Sequence, residues 1–273
     1  MPSNEEIAIV GGTPMIPEQR RELMLRQLRK HQVLSVHQLV EMFDCSHMTI
    51  RRDVALLEQE GRAYSVTGGV RIASQVHSEP SHQSKAVIEL PQKQGMARLA
   101  AGLLHADMTV YLDAGTSTLE IVPHIVALSG MTVVTNDFGI VHALADAGHV
   151  DVIHTGGLMD HANRSCIGGL AAATLRQLAT DIAFMSTSSW DLQRGTTTPS
   201  ALKVEVKQAA MQSASQTVLI ATASKYGTFG MYKICALEQF DLIISDAALA
   251  EAAADGIRKQ RIELLLAPAG SAR

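Results

Sequence analysis

The stretch from Leu34 to Gly61, LSVHQLVEMFDCSHMTIRRDVALLEQEG, predicts two helices separated by a short turn. Ser35 is a suitable N-cap for the first helix, and apolar residues then recur at helical spacing as far as Phe43. The turn is Asp44-Cys45-Ser46, and the second helix should end where Gly61 provides a natural stop.

A third helix precedes this pair, and a hairpin follows it. Upstream, Pro17 marks a helix start, and Met24, Leu25 and Leu28 form an apolar stripe. Downstream, residues 63–72 alternate loosely and contain the turn signal Gly68-Gly69. Three helices with a short turn before the last one and a hairpin behind it are the layout of a winged helix-turn-helix.

The last of these helices separates an apolar face from a polar one. Ile50, Val54 and Leu57 cluster on one side at about 100° per residue, and this side must face the other two helices. The opposite side and its flank carry His47, Met48, Thr49, Arg51 and Arg52. Such a surface suits the major groove of DNA, where a guanidinium grips guanine edges. An ordinary amphipathic helix with two solvated arginines fits the periodicity equally well.

Length and composition indicate two folded domains. The chain has 273 residues, of which 47% are hydrophobic and 18% charged, and its net charge is −4. Residues 17–75 carry nine basic and seven acidic residues, a small excess that is weak evidence for DNA binding. The three cysteines are far apart, the histidines lack metal-ligand spacing, and no apolar run approaches the ~18 residues of a membrane span. We therefore expect a cytoplasmic protein without a metal site or a cofactor.

From residue 93 onward, helical stretches alternate with short apolar strands. This alternation predicts a larger open, mostly parallel α/β domain with helices on both faces of the sheet. The predicted strands are 108–112, 131–135, 150–154, 181–185, 217–221, 241–245 and 262–266. The predicted organisation is a disordered extension over 1–14, a winged helix-turn-helix over 15–74, a polar linker over 75–92 and the α/β domain over 93–268.

Polar loops follow four of these strands. The first loop, Asp113-Ala114-Gly115-Thr116-Ser117-Thr118, opens a helix, and its small residues, hydroxyls and helix N-terminus suit a phosphate group. Plain helix capping by Ser117-x-x-Glu120 explains the same residues. The other loops contain Thr135-Asn136, Gly156-Gly157 and Ser224-Lys225. Because ligands gather at the carboxyl ends of parallel strands, the four loops together predict an anion site.

The motif Ser46-x-x-Thr49-Ile50-Arg51-Arg52-Asp53, with Leu57 and Gly61 behind it, closely resembles the DNA-binding domain of the DeoR family of transcription regulators. The second half is similar to the sensor domain of that family, which has the fold of ribose 5-phosphate isomerase. The matching pieces are Asp113-x-Gly115-Thr116, Thr135-Asn136, Gly156-Gly157, Ser165-x-x-Gly168, Glu205 to Met211 with Lys207 between them, and Ser224-Lys225-Tyr226-Gly227. The resemblance covers residues 15–266 and implies that Met15 is the natural start.

This resemblance implies a repressor of a carbohydrate or sugar-acid catabolic operon. It would bind double-stranded operator DNA as a homodimer or homotetramer, under the control of a small phosphorylated sugar or sugar acid. The expected DNA-binding residues are Ser35, Ser46, His47, Met48, Thr49, Arg51, Arg52, Arg62, Gly69 and Arg71. The expected effector-binding residues are Asp113, Gly115, Thr116, Ser117, Thr118, Thr135, Asn136, Gly156, Gly157, Glu205, Lys207 and Lys225.

The sequence departs from the family pattern in the wing and in the sensor pocket. Ser65 and Thr67 stand where relatives commonly carry an arginine and a histidine. Thr222-Ala223 and the serine-rich run 186–190 replace an acidic residue and a glycine-rich stretch, so the floor of the pocket is altered.

The main alternative is a sugar-phosphate isomerase with a DNA-binding appendage. Isomerisation needs a carboxylate base, for which Asp113 and Glu205 are the candidates. The missing acid near Lys225 and the attached DNA-reading helix favour binding without turnover, so we expect no catalytic residues.

Overall fold

The computed structural model describes residues 15–268, and the predicted extension over residues 1–14 lies outside this range. The elements of the N-terminal part are α1 (Pro17–His31), β1 (Val33–Leu34), α2 (Val36–Phe43), α3 (His47–Gln59), β2 (Ala63–Val66) and β3 (Gly69–Ile72). The strands form an antiparallel sheet in the order β1, β3, β2. Three helices with a hairpin behind them confirm the predicted winged helix-turn-helix.

Side-chain caps set the starts of α2 and α3. Ser35 Oγ accepts from the N–H of Gln38 at 3.1 Å, and Gln38 Oε1 accepts from the N–H of Ser35 at 2.8 Å, which completes a capping box. Ser46 Oγ accepts from the N–H of Thr49 at 3.1 Å. Between the two helices, Asp44 adopts a left-handed backbone conformation with φ 43°, which an aspartate tolerates and which lets the chain reverse.

The apolar faces of the three helices meet in one core around a buried ion pair. Leu25, Ile50 and Leu57 are fully buried in this core. On α3, Asp53 is only 1% exposed, and its carboxylate accepts from Nε of Arg20 on α1 at 2.5 Å. The pair joins the first helix to the third, because each charge is satisfied only when the two helices are packed together.

A linker and a larger α/β domain follow. The linker contains β4 (Ser74–Gln75) and α4 (His82–Val87). The larger domain consists of α5 (Leu90–Ala101), β5 (Thr109–Leu112), α6 (Thr116–Leu119), α7 (Val122–Val126), β6 (Thr132–Thr135), α8 (Phe138–Leu144), β7 (Asp151–His154), β8 (Leu158–Asp160), β9 (Ser165–Ile167), α9 (Gly169–Leu175), β10 (Thr180–Ser186), β11 (Ser189–Asp191), β12 (Gly195–Thr198), α10 (Ala201–Gln212), β13 (Ala214–Ile220), β14 (Thr228–Phe229), β15 (Tyr232–Cys235), β16 (Leu242–Asp246), α11 (Glu251–Lys259) and β17 (Glu263–Ala267). Among residues 15–268, no helix is long and apolar enough to cross a membrane.

The seven predicted strands form one parallel sheet in the order β17, β16, β13, β10, β5, β6, β7. Alternate side chains enter hydrophobic clusters on opposite faces: Tyr111 and Val134 lie in one, and Val110 and Val133 lie in the other. The predicted open α/β architecture is therefore confirmed. The chain builds β5, β6 and β7 toward one edge and then crosses back to β10, so the strand order reverses between β5 and β10. A crevice at the carboxyl ends of strands forms at such a point.

The N-terminal part is packed on the larger domain around Tyr64. This side chain is fully buried, and its ring lies edge-on to that of Tyr226 with centroids 5.3 Å apart. Arg194 reaches across the junction, donating to Tyr64 Oη at 3.2 Å and to the carbonyl of Gly61 at 3.1 Å. At Gly227, φ is +78°, and a Cβ would lie 2.7 Å from the Tyr64 ring, so glycine is required on both counts.

We predict that Asp53→Asn lowers the free energy of unfolding by about 3 kcal/mol, because removing one charge of a buried pair leaves the other uncompensated. Asp255→Asn is the matched control, since Asp255 pairs with Arg258 at 3.4 Å on the surface, where both side chains are more than half exposed. Exposed pairs contribute little to stability, so its effect should be much smaller. Urea denaturation followed by circular dichroism measures both losses, and equal losses would contradict the prediction.

Candidate functional site

Helix α3 presents a polar face to solvent. His47, Met48, Arg51 and Arg52 are exposed, and Met48 exposes 69% of its surface. Within residues 15–268, neither arginine has an ion-pair partner. Two unpaired guanidinium groups beside an exposed helix N-terminus form a surface that matches the chemistry of a DNA groove and its phosphates.

Two of the expected DNA-binding serines serve as helix caps, and one of them also contacts Thr49. Ser35 caps α2, Ser46 caps α3, and Ser46 Oγ lies 2.9 Å from Thr49 Oγ1. The two serine hydroxyls satisfy local N–H groups and so fix where each helix begins. The remaining free N–H groups of a helix N-terminus suit a DNA phosphate.

The wing residues that we expected at DNA have other contacts. Arg62 pairs with Glu22 at 2.6 Å and with Glu60 at 3.5 Å. Arg71 donates to the carbonyl oxygens of Ser224, at 3.1 Å, and Tyr226 in the larger domain. Glycine is required at position 69 by close packing, since a Cβ there would lie 2.4 Å from the carbonyl oxygen of Leu34.

The two hydroxyl residues that depart from the family pattern hold the wing in place. Ser65 donates to the Glu58 carboxylate through its N–H at 3.1 Å and its hydroxyl at 3.2 Å. Thr67 Oγ1 donates to the carbonyl of Ala248 at 3.1 Å, so the tip of the wing contacts the larger domain.

A cavity of about 400 Å³ lies at the carboxyl ends of β5 and β10, where the strand order reverses. The loops after these strands, residues 113–117 and 186–188, line it together with Ser224, Lys225 and Lys207. Linker residues that include Glu79 and Lys85 form part of the remaining wall, together with residues of the larger domain such as Asn136 and Lys203. The volume suits a small metabolite.

Asp113 joins the two strand-end loops. Its carboxylate accepts from the N–H of Ser186 at 2.9 Å and from Ser186 Oγ at 2.8 Å, and it forms an ion pair with Lys207. Lys207 also donates to the carbonyl of Ser186 at 2.8 Å. Asp113 and Lys207 therefore shape the cavity floor and satisfy each other's charge.

The loop after β5 offers a free hydroxyl. The N–H groups of Ala114 and Gly115 are already bonded to Asn136 at 3.0 Å and to Asp137 at 3.1 Å. Ser117 lines the cavity, is 2% exposed, and its Oγ has no hydrogen-bond partner among the described residues. A buried hydroxyl of this kind is a ready donor to a ligand.

Lysines dominate the charge of the cavity. Five lysines line it against three carboxylates, an excess of two positive charges; the charged residues are Glu79, Lys85, Glu89, Lys93, Asp113, Lys203, Lys207 and Lys225. Lys93 and Lys225 form no ion pair within residues 15–268 and donate instead to the backbone carbonyls of Lys85 and Thr187. Burial lowers the pKa of Lys93, and it lowers the pKa of Lys225 to about 8. Two poorly solvated cations without a counter-ion favour an anionic ligand.

Several residues expected in the pocket lie outside its lining. Thr118 and Thr135 donate to the backbone carbonyls of Asp113, at 2.6 Å, and Leu112, at 2.7 Å. Neither Gly156 nor Gly157 lines the cavity, and a Cβ on Gly157 would lie 3.1 Å from the N atom of Ala171, in the backbone of α9. Glu205 pairs with Arg176 at 3.0 Å on the surface. Of the expected set, Asp113, Gly115, Thr116, Ser117, Asn136, Lys207 and Lys225 do line the cavity.

Sequence reasoning missed the linker residues and Lys203. Lys203 lies four positions before Lys207 on α10, so helical spacing could have placed both on one face. Lys85 gave no such signal, because its position depends on the path of the linker.

The candidate bases of the isomerase alternative do not come together. Asp113 is held by Lys207 and Ser186, whereas Glu205 lies outside the cavity lining. No cluster of three or more metal-binding side chains occurs within residues 15–268.

Comparisons with protein families identify both halves of the chain. The model of the DeoR-like helix-turn-helix domain matches residues 20–76, and that of the DeoR C-terminal sensor domain matches residues 88–247. The HTH-type transcriptional regulator YgbI of Escherichia coli K12 is 43% identical over 93% of this chain and 99% of its own length. A protein of Escherichia coli O157:H7 named for repression of the aga operon is 28% identical over 91% of this chain and 93% of its own length. These names describe transcriptional regulators rather than enzymes.

Among solved structures, ribose 5-phosphate isomerase A of Methanocaldococcus jannaschii is similar over 49% of this chain and 53% of its own. The identity is 13% and the TM-score is 0.36. This likeness is too distant to indicate function.

We predict that Arg52→Ala and Arg51→Ala affect DNA binding differently. If Arg52 grips a base edge, its removal should reduce discrimination against single-base variants by about 10- to 100-fold. If Arg51 contacts phosphate, its removal should weaken all sequences alike and reduce the salt slope by about one.

Footprinting on the DNA that flanks the gene supplies the operator, and fluorescence anisotropy across salt concentrations measures both effects. Arg258→Ala is the control, because Arg258 is an exposed arginine on α11 of the larger domain. Equal weakening of every sequence by Arg52→Ala would exclude base readout by that residue.

Proposed function

Because this chain belongs to the DeoR family of DNA-binding transcriptional regulators, we propose that it represses a carbohydrate or sugar-acid catabolic operon and that a small phosphorylated metabolite releases it from the operator. The name of the relative from Escherichia coli O157:H7 supports repression as the mode of control. Operator binding makes the cytoplasm its place of action.

The observation that carries the proposed effector is the pairing of Lys93 and Lys225 with the free hydroxyl of Ser117 in one cavity. A phosphate dianion supplies the two negative charges that the cavity lacks and accepts hydrogen bonds from all three groups. Neutral ligands would leave both lysines without a counter-ion.

In this proposal α3 reads the operator. Arg52 and Met48 face base edges, Arg51 contacts phosphate, and the caps Ser35 and Ser46 place the helix N-termini. Helix-turn-helix proteins dock on paired half-sites, so the active form is a homodimer or homotetramer. Effector binding favours a subunit arrangement in which the DNA-binding domains no longer match the spacing of the half-sites.

We predict that phosphorylated sugars or sugar acids of matching size raise the melting temperature by several degrees and weaken operator binding at least tenfold. The first effect follows because a ligand that binds only the folded state stabilises it. Thermal shift and fluorescence anisotropy measure the two effects, and each unphosphorylated parent compound is the control. A panel in which no phosphorylated compound has either effect would refute the proposal.

We also predict that effector affinity falls as the pH rises above about 8. Burial lowers the pKa of Lys225 to about 8, and a bound dianion favours the charged lysine, so binding takes up a proton above that pH. The loss should reach at most about tenfold per pH unit, while the ligand phosphate, with a second pKa of about 6, stays dianionic.

Isothermal titration calorimetry between about pH 7 and pH 10 tests this dependence. Lys225→Arg should remove most of the slope, because arginine stays protonated throughout the range. A wild-type affinity that does not change above pH 8 would show that Lys225 does not contact the phosphate.

A further inference from the structure

The linker between the two domains places a carboxylate in the wall of the effector cavity. Glu79 lines the cavity, and only 11% of its side chain is exposed. Its oxygens lie 2.9 Å from Nζ of Lys203 on α10 and 3.1 Å from Nζ of Lys85 on α4. Both lysines line the same cavity, so Glu79 is an anion held between two cations inside a ligand site.

The two lysines keep the Glu79 carboxylate ionised, as they would a bound anion. Burial alone would raise its pKa, but Lys203 and Lys85 outweigh this effect and lower the pKa to about 2. Glu79 is therefore ionised at neutral pH. The lysines depend on it in turn, because the next carboxylate, Asp160, lies 3.6 Å from Nζ of Lys203 and pairs with that lysine alone.

The same segment connects directly to the DNA-binding domain. Three residues before Glu79, the N–H of Val76 donates to the carbonyl of Phe229 at 2.8 Å. The preceding strand β4 pairs with β14, and β4 itself follows the last wing strand, β3, after one residue. A change at Glu79 therefore acts on the short segment that connects the DNA-binding domain to the sensor domain.

We propose that Glu79 is a tethered stand-in for the acid group of the effector, that the effector is a sugar-acid phosphate, and that its carboxylate displaces Glu79 from Lys85 and Lys203 and so detaches the linker. The proposal rests on the function proposed above and adds a second anionic group to the ligand. The phosphate occupies the Lys93, Lys225 and Ser117 region, and the carboxylate takes the place of Glu79.

Charge balance explains why an acid is selected. Exchange of one carboxylate for another leaves Lys85 and Lys203 neutralised throughout. An aldehyde or hydroxyl at the same position would leave Lys85 without a counter-ion and Lys203 with only the more distant Asp160, at 3.6 Å. The neighbours of Glu79 in the chain, Ser78 and Pro80, are both exposed, so the displaced side chain has a short path to solvent.

The test compares matched ligands on matched variants. Each aldonic acid phosphate of three to six carbons is paired with the aldose phosphate of the same length, and operator affinity and ligand affinity are measured with the full-length protein. In the wild type, one acid phosphate should weaken operator binding at least tenfold more than its aldose partner.

Glu79→Gln should weaken operator binding even when no ligand is present. The amide cannot neutralise the lysines, so operator affinity should fall about tenfold in the absence of any ligand, and affinity for the acid phosphate should rise. Lys203→Gln should erase the difference between acid and aldose while the response to phosphate remains. Glu238→Gln is the control, since Glu238 is exposed and outside the cavity lining.

The outcomes separate this inference from the function on which it rests. Equal responses to acid and aldose phosphates, with Glu79→Gln binding operator and ligand like the wild type, would overturn the inference and leave the proposed function standing. If no phosphorylated compound acts on the wild type, the proposed function fails, and this ligand assignment fails with it. If Glu79→Gln does not fold by thermal melting, the ligand preference of Lys203→Gln decides the question.

Discussion

The ion pair between Asp113 and Lys207 is the interaction on which the sensor cavity depends. Asp113 begins the loop after β5. Lys207 lies on α10 and also donates to the carbonyl of Ser186, at the end of β10. A charge buried this deeply is tolerated only when it is paired and hydrogen-bonded, so the loops cannot separate without exposing an uncompensated charge. The pair therefore fixes the width of the crevice at the point where the strand order reverses.

One wall of the cavity also contacts the linker and the DNA-binding domain. The loop 222–227 carries Lys225 on the cavity side, and its carbonyls at Ser224 and Tyr226 accept from Arg71 of the wing. Ser224 Oγ also donates to Glu89 at the end of the linker, at 2.9 Å. One short loop thus contacts the cavity, the linker and the DNA-binding domain, and so connects the proposed effector site to the DNA-binding domain by direct contacts.

Much of this arrangement could be predicted from the sequence because strands and strand-end loops leave local patterns. Apolar runs identified all seven parallel strands, and strand-end position brought Asp113, Asn136 and Lys225 to one cavity. Glu205 was misplaced because residues two apart on a helix point to nearly opposite sides, so it could not accompany Lys207. The linker residues Glu79 and Lys85 could not be found, since a polar segment has no periodicity and its path depends on what it packs against.

Two hydroxyl residues and one arginine of the wing contact other parts of the protein. Hydroxyls at Ser65 and Thr67 bond to Glu58 and to the carbonyl of Ala248, and Arg71 is held by the sensor domain. These contacts tie the wing to the rest of the protein and leave it few cations for phosphate. In the proposed function, the readout of the operator then depends mainly on Arg51 and Arg52 of α3. In the proposed homodimer or homotetramer, base-edge contacts and the pairing of two DNA-binding domains contribute to operator affinity, so a small change in how the linker spaces these domains would be enough to control binding.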